Sequence, residues 1–311
     1  MNLNSEKRKG YLISAEMKKV WAVEMDLLKK LLEVCEKHHL KVFAEGGTLL
    51  GAVREHGFIP WDDDIDMSML REDYDKLQAI ARNEFTTPYF FQSGYSDSYP
   101  FGYSRLRMDG TSAILHKGIY HNYHQGIFID IFPLDAMPND DIERKAFIDK
   151  TLREREELKL YCSPWFSFSD IKHNLKTIRL LYCVKRDGFN FYFKKYDDNF
   201  RIYSIDKCQE VSLLSWFFDK RYVRRKEWYS DTFYLPFENI IIPVPSSYNE
   251  VLKQQFGDYM RPSRVPTMHG GFEVLDADKS YLEYLPHLRK KYKWENWHIR
   301  LRRIKNVFYR K

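Results

Sequence analysis

Two acidic residues separated by one apolar residue form the part of this sequence best suited to chemistry. Asp64 and Asp66 alternate with Ile65 and Met67. In a β-strand, alternate side chains share a face and their Cα atoms lie about 6.6 Å apart, so both carboxylates would project together while the apolar pair enters the core. Adjacent carboxylates repel each other unless a positive group lies between them. The spacing therefore indicates a site for a hard divalent cation, Mg²⁺ or Mn²⁺.

A third acid, Asp130, lies in the strongly apolar segment 126–132. Burying it in such a strand is costly unless it is hydrogen-bonded or binds a metal. Acidic runs are usually solvated loops, but the run here is surrounded by core-forming residues: Phe58, Ile59, Trp61, Ile65, Met67 and Met69. We therefore predict that Asp64, Asp66 and Asp130 form one metal site, with Asp62 and Asp63 in supporting or loop-capping roles.

The elements that must position these acids follow from apolar periodicity and from turn residues. The patterns predict helices at 15–37, capped by Ser14, at 48–56, closed by Gly57, and at 71–83 and 249–256. They predict strands at 42–45, 65–69, 126–132 and 240–244, a tight turn at Gly46-Gly47, and a hairpin of 103–107 with 112–115 that turns at 109–110. Residues from about 140 to 230 are expected to form a mainly helical insert rich in aromatic and basic residues.

Composition restricts the class of protein. A hydrophobic fraction of 44% in 311 residues supports a buried core. The cysteines, at 35, 162, 183 and 208, form no Cys-x-x-Cys pair, so zinc and a disulfide framework are not expected. The sequence has no apolar stretch typical of a signal peptide or a transmembrane helix, and we expect a cytoplasmic protein. His116, His121 and His124 could form a zinc cluster, but their spacing is more typical of a flexible loop.

The combination of these motifs resembles the nucleotidyltransferase superfold, and more closely the LicD family. The resemblance lies in residues 46–54, 57–66 and 126–135, and returns in 237–239, 243–245 and 256–260. It implies an α+β fold, with a mixed sheet flanked by helices. The expected divisions are a catalytic core at 1–140, a helical insert at 141–230, completion of the core at 231–285 and a basic tail at 286–311.

Further site residues are expected around the acids. Gly46 and Gly47 would let backbone N–H groups approach a phosphate, and Thr48 would add a hydroxyl where a helix start favours anions. Arg54 could bind phosphate bidentately. Two positions are suggested by the resemblance: Arg105 as a phosphate or leaving-group contact, and His269 as a general base or donor-binding residue.

The resemblance also implies a reaction, in which a phospho-alcohol passes from a CDP-alcohol to a sugar hydroxyl of a surface glycan or its lipid-linked precursor, with release of CMP. Phosphocholine from CDP-choline is the leading donor, and no nucleic-acid partner is expected. Two alternatives remain open at this point. The first is a nucleotidyltransferase that moves NMP from an NTP, and the second is an inactive, membrane-recruited adaptor.

The charge of the chain is concentrated in the tail. Residues 286–311 contain ten basic residues and one acidic residue, whereas the whole chain has a net charge of +6. Trp297, Leu301, Ile304 and Phe308 form one apolar helical stripe. Such a helix could lie on an anionic membrane surface, at the inner face of the plasma membrane, or it could pack on the protein's own core.

Overall fold

A mixed seven-stranded β-sheet forms the centre of the protein. The structure is a computed structural model, and it describes residues 1–162, 166, 170–216, 218–261 and 271–293. The helices are α1 (Ala15–Lys37), α2 (Gly46–Arg54), α3 (Arg71–Glu84), α4 (Gly94–Asp97), α5 (Asp141–Cys162), α6 (Ile171–Asp187), α7 (Phe189–Asn199), α8 (Tyr248–Phe256) and α9 (281–293). The strands are β1 (Glu6–Arg8), β2 (Tyr11–Ile13), β3 (Phe43–Ala44), β4 (Asp66–Leu70), β5 (Tyr89–Gln92), β6 (Ser104–Met108), β7 (Ser112–Leu115), β8 (Phe128–Ala136), β9 (Glu210–Ser212), β10 (Val223–Arg225), β11 (Thr232–Phe237), β12 (Ile240–Pro245) and β13 (Phe272–Asp276).

Strand β8 organises the sheet. It pairs in parallel with β4 along one edge, and its other edge pairs antiparallel with β6 and then with β9. β3 extends the sheet beyond β4, β10 beyond β9, and β5 beyond β6. All nine residues of β8 are buried, as a strand with neighbours on both edges and a covered face requires. The predicted α+β class with a nucleotidyltransferase-like mixed sheet is confirmed.

Helix α1 has the predicted bounds and closes the core next to the sheet. The Ser14 hydroxyl accepts a hydrogen bond from the Met17 N–H at 3.2 Å, which satisfies one free donor of the first turn. Val20, Trp21 and Leu28 lie on its buried face. Burial of each such apolar side chain stabilises the fold by about 1.5–3 kcal/mol.

The predicted hairpin of 103–107 with 112–115 is wrong in its pairing. Both strands form and Gly110 adopts a φ of 75° between them, but β6 pairs with β5 and β8, whereas β7 pairs with β13. Every residue of β6 is buried. A strand of this kind belongs in the interior of a sheet, and a two-stranded hairpin would leave its second edge open.

The glycines at the two ends of α2 also differ from expectation. Gly46 and Gly47 do not form a separate tight turn but are the first residues of α2. At the other end, Gly57 was predicted to close the helix. The residue with the left-handed backbone conformation there is His56, with a φ of 55°. Gly57 is needed for a different reason, since a Cβ there would collide with the Glu238 carboxylate.

The chain beyond residue 140 forms the expected helices, α5 to α7. They enclose a second apolar cluster whose members include Met137, Phe147, Val184, Phe193 and Leu214. Strands β9 and β10 follow these helices and join the main sheet. The division into four segments stays a prediction. Helix α9 crosses the boundary at 285, and its Leu285, Leu288 and Tyr292 pack against Ile114 and Ile119.

In the part of the chain that the structure describes, no helix is long and apolar enough to cross a membrane. The apolar stripe from Trp297 to Phe308 lies outside the described residues.

Candidate active site

Two acids lie side by side where the parallel strands β4 and β8 meet. Asp66 opens β4 and is in register with Asp130 of β8. Neighbouring strands are about 4.8 Å apart and paired residues project to the same side, so the two carboxylates share one face of the sheet. Ile65 and Met67 are fully buried, as the alternation predicted. The N–H of Asp130 donates to the carbonyl of Ile65 at 2.9 Å and ties the acid motif to the central strand.

Arg105 of β6 holds the Asp130 carboxylate in a buried, bidentate ion pair. Its Nε donates to Oδ1 at 2.5 Å and its Nη2 to Oδ2 at 3.2 Å. The guanidinium lies over the ring of Phe128, with Cζ 3.8 Å from the ring centroid. The expected contact of Arg105 with a phosphate or leaving group stays a prediction, and in this structure its charge is directed at Asp130.

Helix α2 begins directly against the acids. A Cβ on Gly46, whose φ is 53°, would lie 3.2 Å from Oδ2 of Asp66, and a Cβ on Gly47 would lie 2.5 Å from Oδ2 of Asp62. Glycine at both positions therefore brings the first N–H groups of the helix close to the carboxylates. Thr48 is buried, and its hydroxyl accepts a hydrogen bond from the Asp66 N–H at 2.8 Å. Its phosphate contact stays a prediction, whereas its hold on the start of β4 is observed.

The loop before β4 contains a compact group of three acids. Asp62, Asp63 and Asp64 each place a carboxylate oxygen within 4.8 Å of the others, and among the described residues this is the one group of three or more His, Cys, Asp or Glu side chains with that property. The Trp21 indole Nε1 donates to the Asp62 carbonyl at 3.1 Å and stacks on Phe58, which anchors the loop to α1.

The predicted metal set is therefore less compact than this loop. Asp64, Asp66 and Asp130 do not meet the same 4.8 Å condition within the described residues. Arg105 holds the Asp130 carboxylate from β6. Asp62, which the sequence assigned to a supporting or capping role, belongs with Asp63 to the compact group. The candidate cation ligands thus include the whole acidic loop.

Glu24 of α1 is a further acid at this site, and the sequence analysis did not identify it. It is 2% exposed, and its Oε2 has no hydrogen-bond partner among the described residues. Burial raises the pKa of the Glu24 carboxyl well above its usual range, and the negative charges of Asp64 and Asp63 raise it further. A buried acid of this kind is unfavourable unless it is protonated or a cation balances it.

The same electrostatic crowding affects the strand and the loop. Burial, followed by the charges of Asp64 and Asp130, raises the pKa of Asp66 well above its usual range. Burial and the charge of Asp63 raise the pKa of Asp62 to about 6. A bound cation would reverse these shifts, because it favours the ionised form of every acid around it. The donor set is therefore chemically suited to a divalent metal.

A buried ion pair holds the residue that precedes α2. Glu45, the residue that precedes Gly46, accepts from Nη1 and Nη2 of Arg224, both at 2.7 Å. Arg224 comes from β10, and it also donates to the Tyr229 hydroxyl and to Oε1 of Gln255. The end of the insert region is thereby connected to the glycines that face the acids.

One expected site residue, Arg54, lies away from the acids. Arg54 is the last residue of α2, about 12 Å along the helix from Gly46, and its side chain pairs with Glu55 and donates to the Tyr259 carbonyl. The first turn of α2, and not the last, faces the carboxylates, and the phosphate contact of Arg54 stays a prediction. His269 lies outside the described residues.

The histidines that could have formed a zinc cluster have other partners. His116 pairs with Glu273 at 2.7 Å and His124 with Asp109 at 2.9 Å. His121 stacks on Tyr123. The described residues show no metal-type grouping of these histidines.

A row of aromatic rings extends from the acids toward the insert. Centroid distances are 4.8 Å from Tyr103 to Phe132, 5.4 Å from Phe132 to Trp216, and 5.4 Å from Trp216 to Tyr222. Burial raises the pKa of Tyr222, and nearby acids that include Asp66 raise it further. The outer rings of the row thus lie within electrostatic range of the acid site.

A sequence signal exists for one of the missed residues. Glu24 stands in the buried register of α1, four residues after Val20 and four before Leu28. An acid at an apolar position of an amphipathic helix indicates a buried carboxylate. Arg224 gives no comparable signal, because its partner Glu45 lies 179 positions earlier.

The fold and site together define a protein of the nucleotidyltransferase class, with acids on neighbouring strands facing the start of a glycine-led helix. Comparison with known proteins specifies the family. Residues 39–161 match the family described as LicD/FKTN/FKRP, nucleotidyltransferase domain. The chain is 28% identical over 251 residues to the lipopolysaccharide cholinephosphotransferase LicD of Haemophilus influenzae. The matched residues cover 76% of this chain and 88% of that protein. These two matches support membership of the chain in the LicD family.

Two rickettsial proteins are also similar to this chain. The uncharacterized protein RP689 of Rickettsia prowazekii is 40% identical over 156 residues, which cover 46% of this chain and 55% of that protein. The uncharacterized protein RT0683 of Rickettsia typhi is 44% identical over 69 residues, or 22% of this chain and 20% of that protein.

Proposed function

We propose that this protein is a LicD-type phosphotransferase that moves a phospho-alcohol from a CDP-alcohol to a sugar hydroxyl of a cell-surface glycan or its lipid-linked precursor, releasing CMP. The observation that carries the proposal is the register of Asp66 with Asp130 beside the first turn of α2. Family membership supports the reaction class, and a relative bears the name lipopolysaccharide cholinephosphotransferase. Phosphocholine is therefore the leading group to be transferred.

We assign a divalent cation, Mg²⁺ or Mn²⁺, to the acids. Asp64, Asp66 and Asp130 would hold it, with Asp62 and Asp63 as further candidate ligands. The raised pKa of Asp66 supports this assignment, and so does Oε2 of Glu24, which has no partner among the described residues, since both indicate that the site lacks the positive charge its acids need. When bound, such a cation neutralises phosphate charge and stabilises the leaving oxygen.

The protein's own groups would position the reactants. The N–H groups of the first turn of α2 would donate to a donor phosphate, because Gly46 and Gly47 leave room for close approach. Thr48 and Arg105 would keep Asp66 and Asp130 in place. The Asp130 carboxylate either completes the cation site or accepts the proton of the acceptor hydroxyl. Positioning and charge neutralisation are the main requirements of phosphoryl transfer.

The aromatic row supports a choline head group. A quaternary ammonium is attracted to aromatic faces by about 0.5–2 kcal/mol per ring. Trp216 and Tyr222 form the end of the row that belongs to the last part of the insert, after α7. We propose that these two rings contact the trimethylammonium group.

The test is CMP release from a panel of CDP-alcohols, measured with purified protein and Mg²⁺. We expect CDP-choline to be cleaved fastest, and Asp66→Asn to abolish release. Asp149→Asn, the same exchange at an exposed position of α5, should retain wild-type activity. Activity confined to CDP-ribitol or CDP-glycerol would change the donor within the class. Release of pyrophosphate from an NTP would replace the proposal with nucleotidyl transfer, and inactivity on every donor would favour the adaptor.

The basic tail suggests how the enzyme reaches its acceptor. We propose that residues 286–311 bring the enzyme to an anionic membrane surface, where a lipid-linked glycan is found. Leu288 and Tyr292 pack with Ile114 and Ile119, so we assign the membrane contact to the residues after 293. A truncation after residue 293, compared with the full chain in flotation with anionic liposomes, tests this role, and equal flotation of the two proteins would contradict it.

A further inference from the structure

Helix α6 exposes an apolar stripe that nothing in the described structure covers. Ile171, Leu175, Ile178 and Tyr182 are 71%, 62%, 55% and 65% exposed. Their spacing of four, three and four residues places them within an arc of about 60° around the helix. Single exposed apolar residues are ordinary, but four in one line on one helix indicate a surface for interaction.

The stripe is not the face by which α6 packs on the protein. Thr177 and Val184 are the buried residues of this helix, and Val184 belongs to the core shared with α5 and α7. At 100° per residue these two positions are centred about 140° away from the stripe. Within the described residues, the packing of the insert therefore does not use the stripe.

Basic side chains flank the stripe. Helix α6 contains five exposed basic residues and one acidic residue, a net charge of +4: Lys172, Lys176, Arg179, Lys185, Arg186 and Asp187. Lys176 pairs with Glu157 and Arg186 with Asp187. The ion pairs of the described residues do not include Lys172, Arg179 or Lys185. The helix therefore presents apolar groups together with unneutralised positive charge.

We propose that α6 is a membrane-surface helix, which inserts its apolar stripe among the head groups of an anionic bilayer and places its basic residues on lipid phosphates. Apolar residues on one face and Lys or Arg beside them are the requirements for interfacial binding. A second copy of the chain fits this surface less well, because it would place the unneutralised Lys172, Arg179 and Lys185 of one copy against those of the other. The inference rests on α6 alone, and neither the proposed reaction nor the tail is needed for it.

The chain offers a matched pair of substitutions for the test. Ile178→Glu introduces an acid into the stripe, whereas Ile241→Glu makes the same exchange on β12 at a position that is 64% exposed. Flotation of the full-length chain is measured with vesicles of phosphatidylcholine alone and with vesicles that contain phosphatidylglycerol. Thermal unfolding and far-UV circular dichroism verify that each variant is folded.

We expect the wild type and Ile241→Glu to bind the anionic vesicles and to lose binding as salt is raised. Ile178→Glu should bind about tenfold more weakly. The double variant Lys172→Gln with Arg179→Gln should bind about 30-fold more weakly, since each basic residue near an anionic surface contributes about 1 kcal/mol. If wild type and Ile178→Glu float equally, or if neither floats, the proposal is overturned. A wild-type dimer that Ile178→Glu dissociates, without flotation, would overturn it in favour of self-association.

Discussion

Arg224 and Glu45 form a bidentate ion pair that joins strand β10 to the residue preceding α2, with both Nη–Oε distances at 2.7 Å. The two side chains are 0% and 3% exposed. Through Glu45, the end of the insert region therefore holds the glycines that face Asp66. The pair thus links a part of the chain outside the recognised motifs to the geometry of the acid site.

Removing the Arg224 guanidinium should destabilise the fold, because it leaves the Glu45 charge buried and unpaired. We expect Arg224→Met to reduce the free energy of unfolding by about 3–5 kcal/mol. Adding Glu45→Gln to this variant should recover a large part of the loss, since the uncompensated charge is removed. Urea denaturation of the two variants measures both effects. A loss of less than about 1 kcal/mol in the single variant would show that the pair is not structurally important.

Asp66→Asn should separate activity from stability. We expect activity to fall about 100-fold or more, as loss of a metal-site group typically does. Without divalent metal, however, the variant should be more stable than the wild type at pH 7, because one of several mutually repelling acids becomes neutral. Thermal unfolding in EDTA and in Mg²⁺ measures this. A wild type that gains no stability from Mg²⁺ would contradict the proposed cation site.

Gly47 should tolerate a methyl group only if Asp62 is shortened. A Cβ at this position would lie 2.5 Å from the Asp62 carboxylate oxygen. Gly47→Ala is therefore expected to destabilise the protein by about 1–3 kcal/mol, the usual cost of overpacking. In an Asp62→Ala background the same change should cost much less. Additive effects of the two substitutions, measured by urea denaturation, would mean that the two residues are not in contact.

The structural features that depend on residues close together in the sequence were predicted correctly. The alternation from Asp64 to Met67 gives the correct buried face, and Ser14 correctly marks the start of α1. The resemblance to the LicD family gave the fold class, because the motif residues occupy the two strands that define the sheet. Both results rest on local periodicity or on a contiguous motif.

Pairing between distant segments could not be predicted in the same way. Residues 103–107 and 112–115 have the pattern of a hairpin, yet β6 joins β8 and β7 joins β13, more than 150 residues later in the chain. Arg105 was predicted to contact a phosphate or leaving group, and its pairing with Asp130 appears only when β6 is in register with β8. Tertiary register determines these partners, and no local pattern encodes it.

Trp216 should affect donor choice more than turnover. If its ring contacts the trimethylammonium group, Trp216→Ala removes a cation–π interaction of about 0.5–2 kcal/mol, which raises KM for CDP-choline about 3- to 30-fold. The KM for CDP-glycerol, which has no cationic group, should change little. Steady-state kinetics with both donors measures the difference. An equal change for the two donors would indicate a general packing role for Trp216.

His124 should make the protein less stable in acid. The Gly126 N–H donates to Nδ1 of His124 at 3.1 Å, so Nδ1 must be unprotonated, and Nε2 can then donate to Asp109 at 2.9 Å. Burial and the nearby charge of Arg107 lower the pKa of His124 to about 4, against the opposing effect of Asp109. The folded protein thus binds this proton less readily than the unfolded chain, whose histidines have a pKa of about 6.5.

Stability should therefore fall as the pH decreases from about 6.5 to about 4, where the unfolded chain is protonated and the folded one is not. Over most of this pH range, the free energy of unfolding should decrease by a total on the order of 2 kcal/mol. His124→Asn, whose amide oxygen can accept from the Gly126 N–H, should flatten this part of the profile. His39→Asn makes the same exchange at an exposed residue with a φ of 54°, a conformation that Asn tolerates. Urea denaturation at pH 7 and pH 4.5 compares the three proteins, and equal acid sensitivity of the wild type and His124→Asn would exclude His124 as the cause.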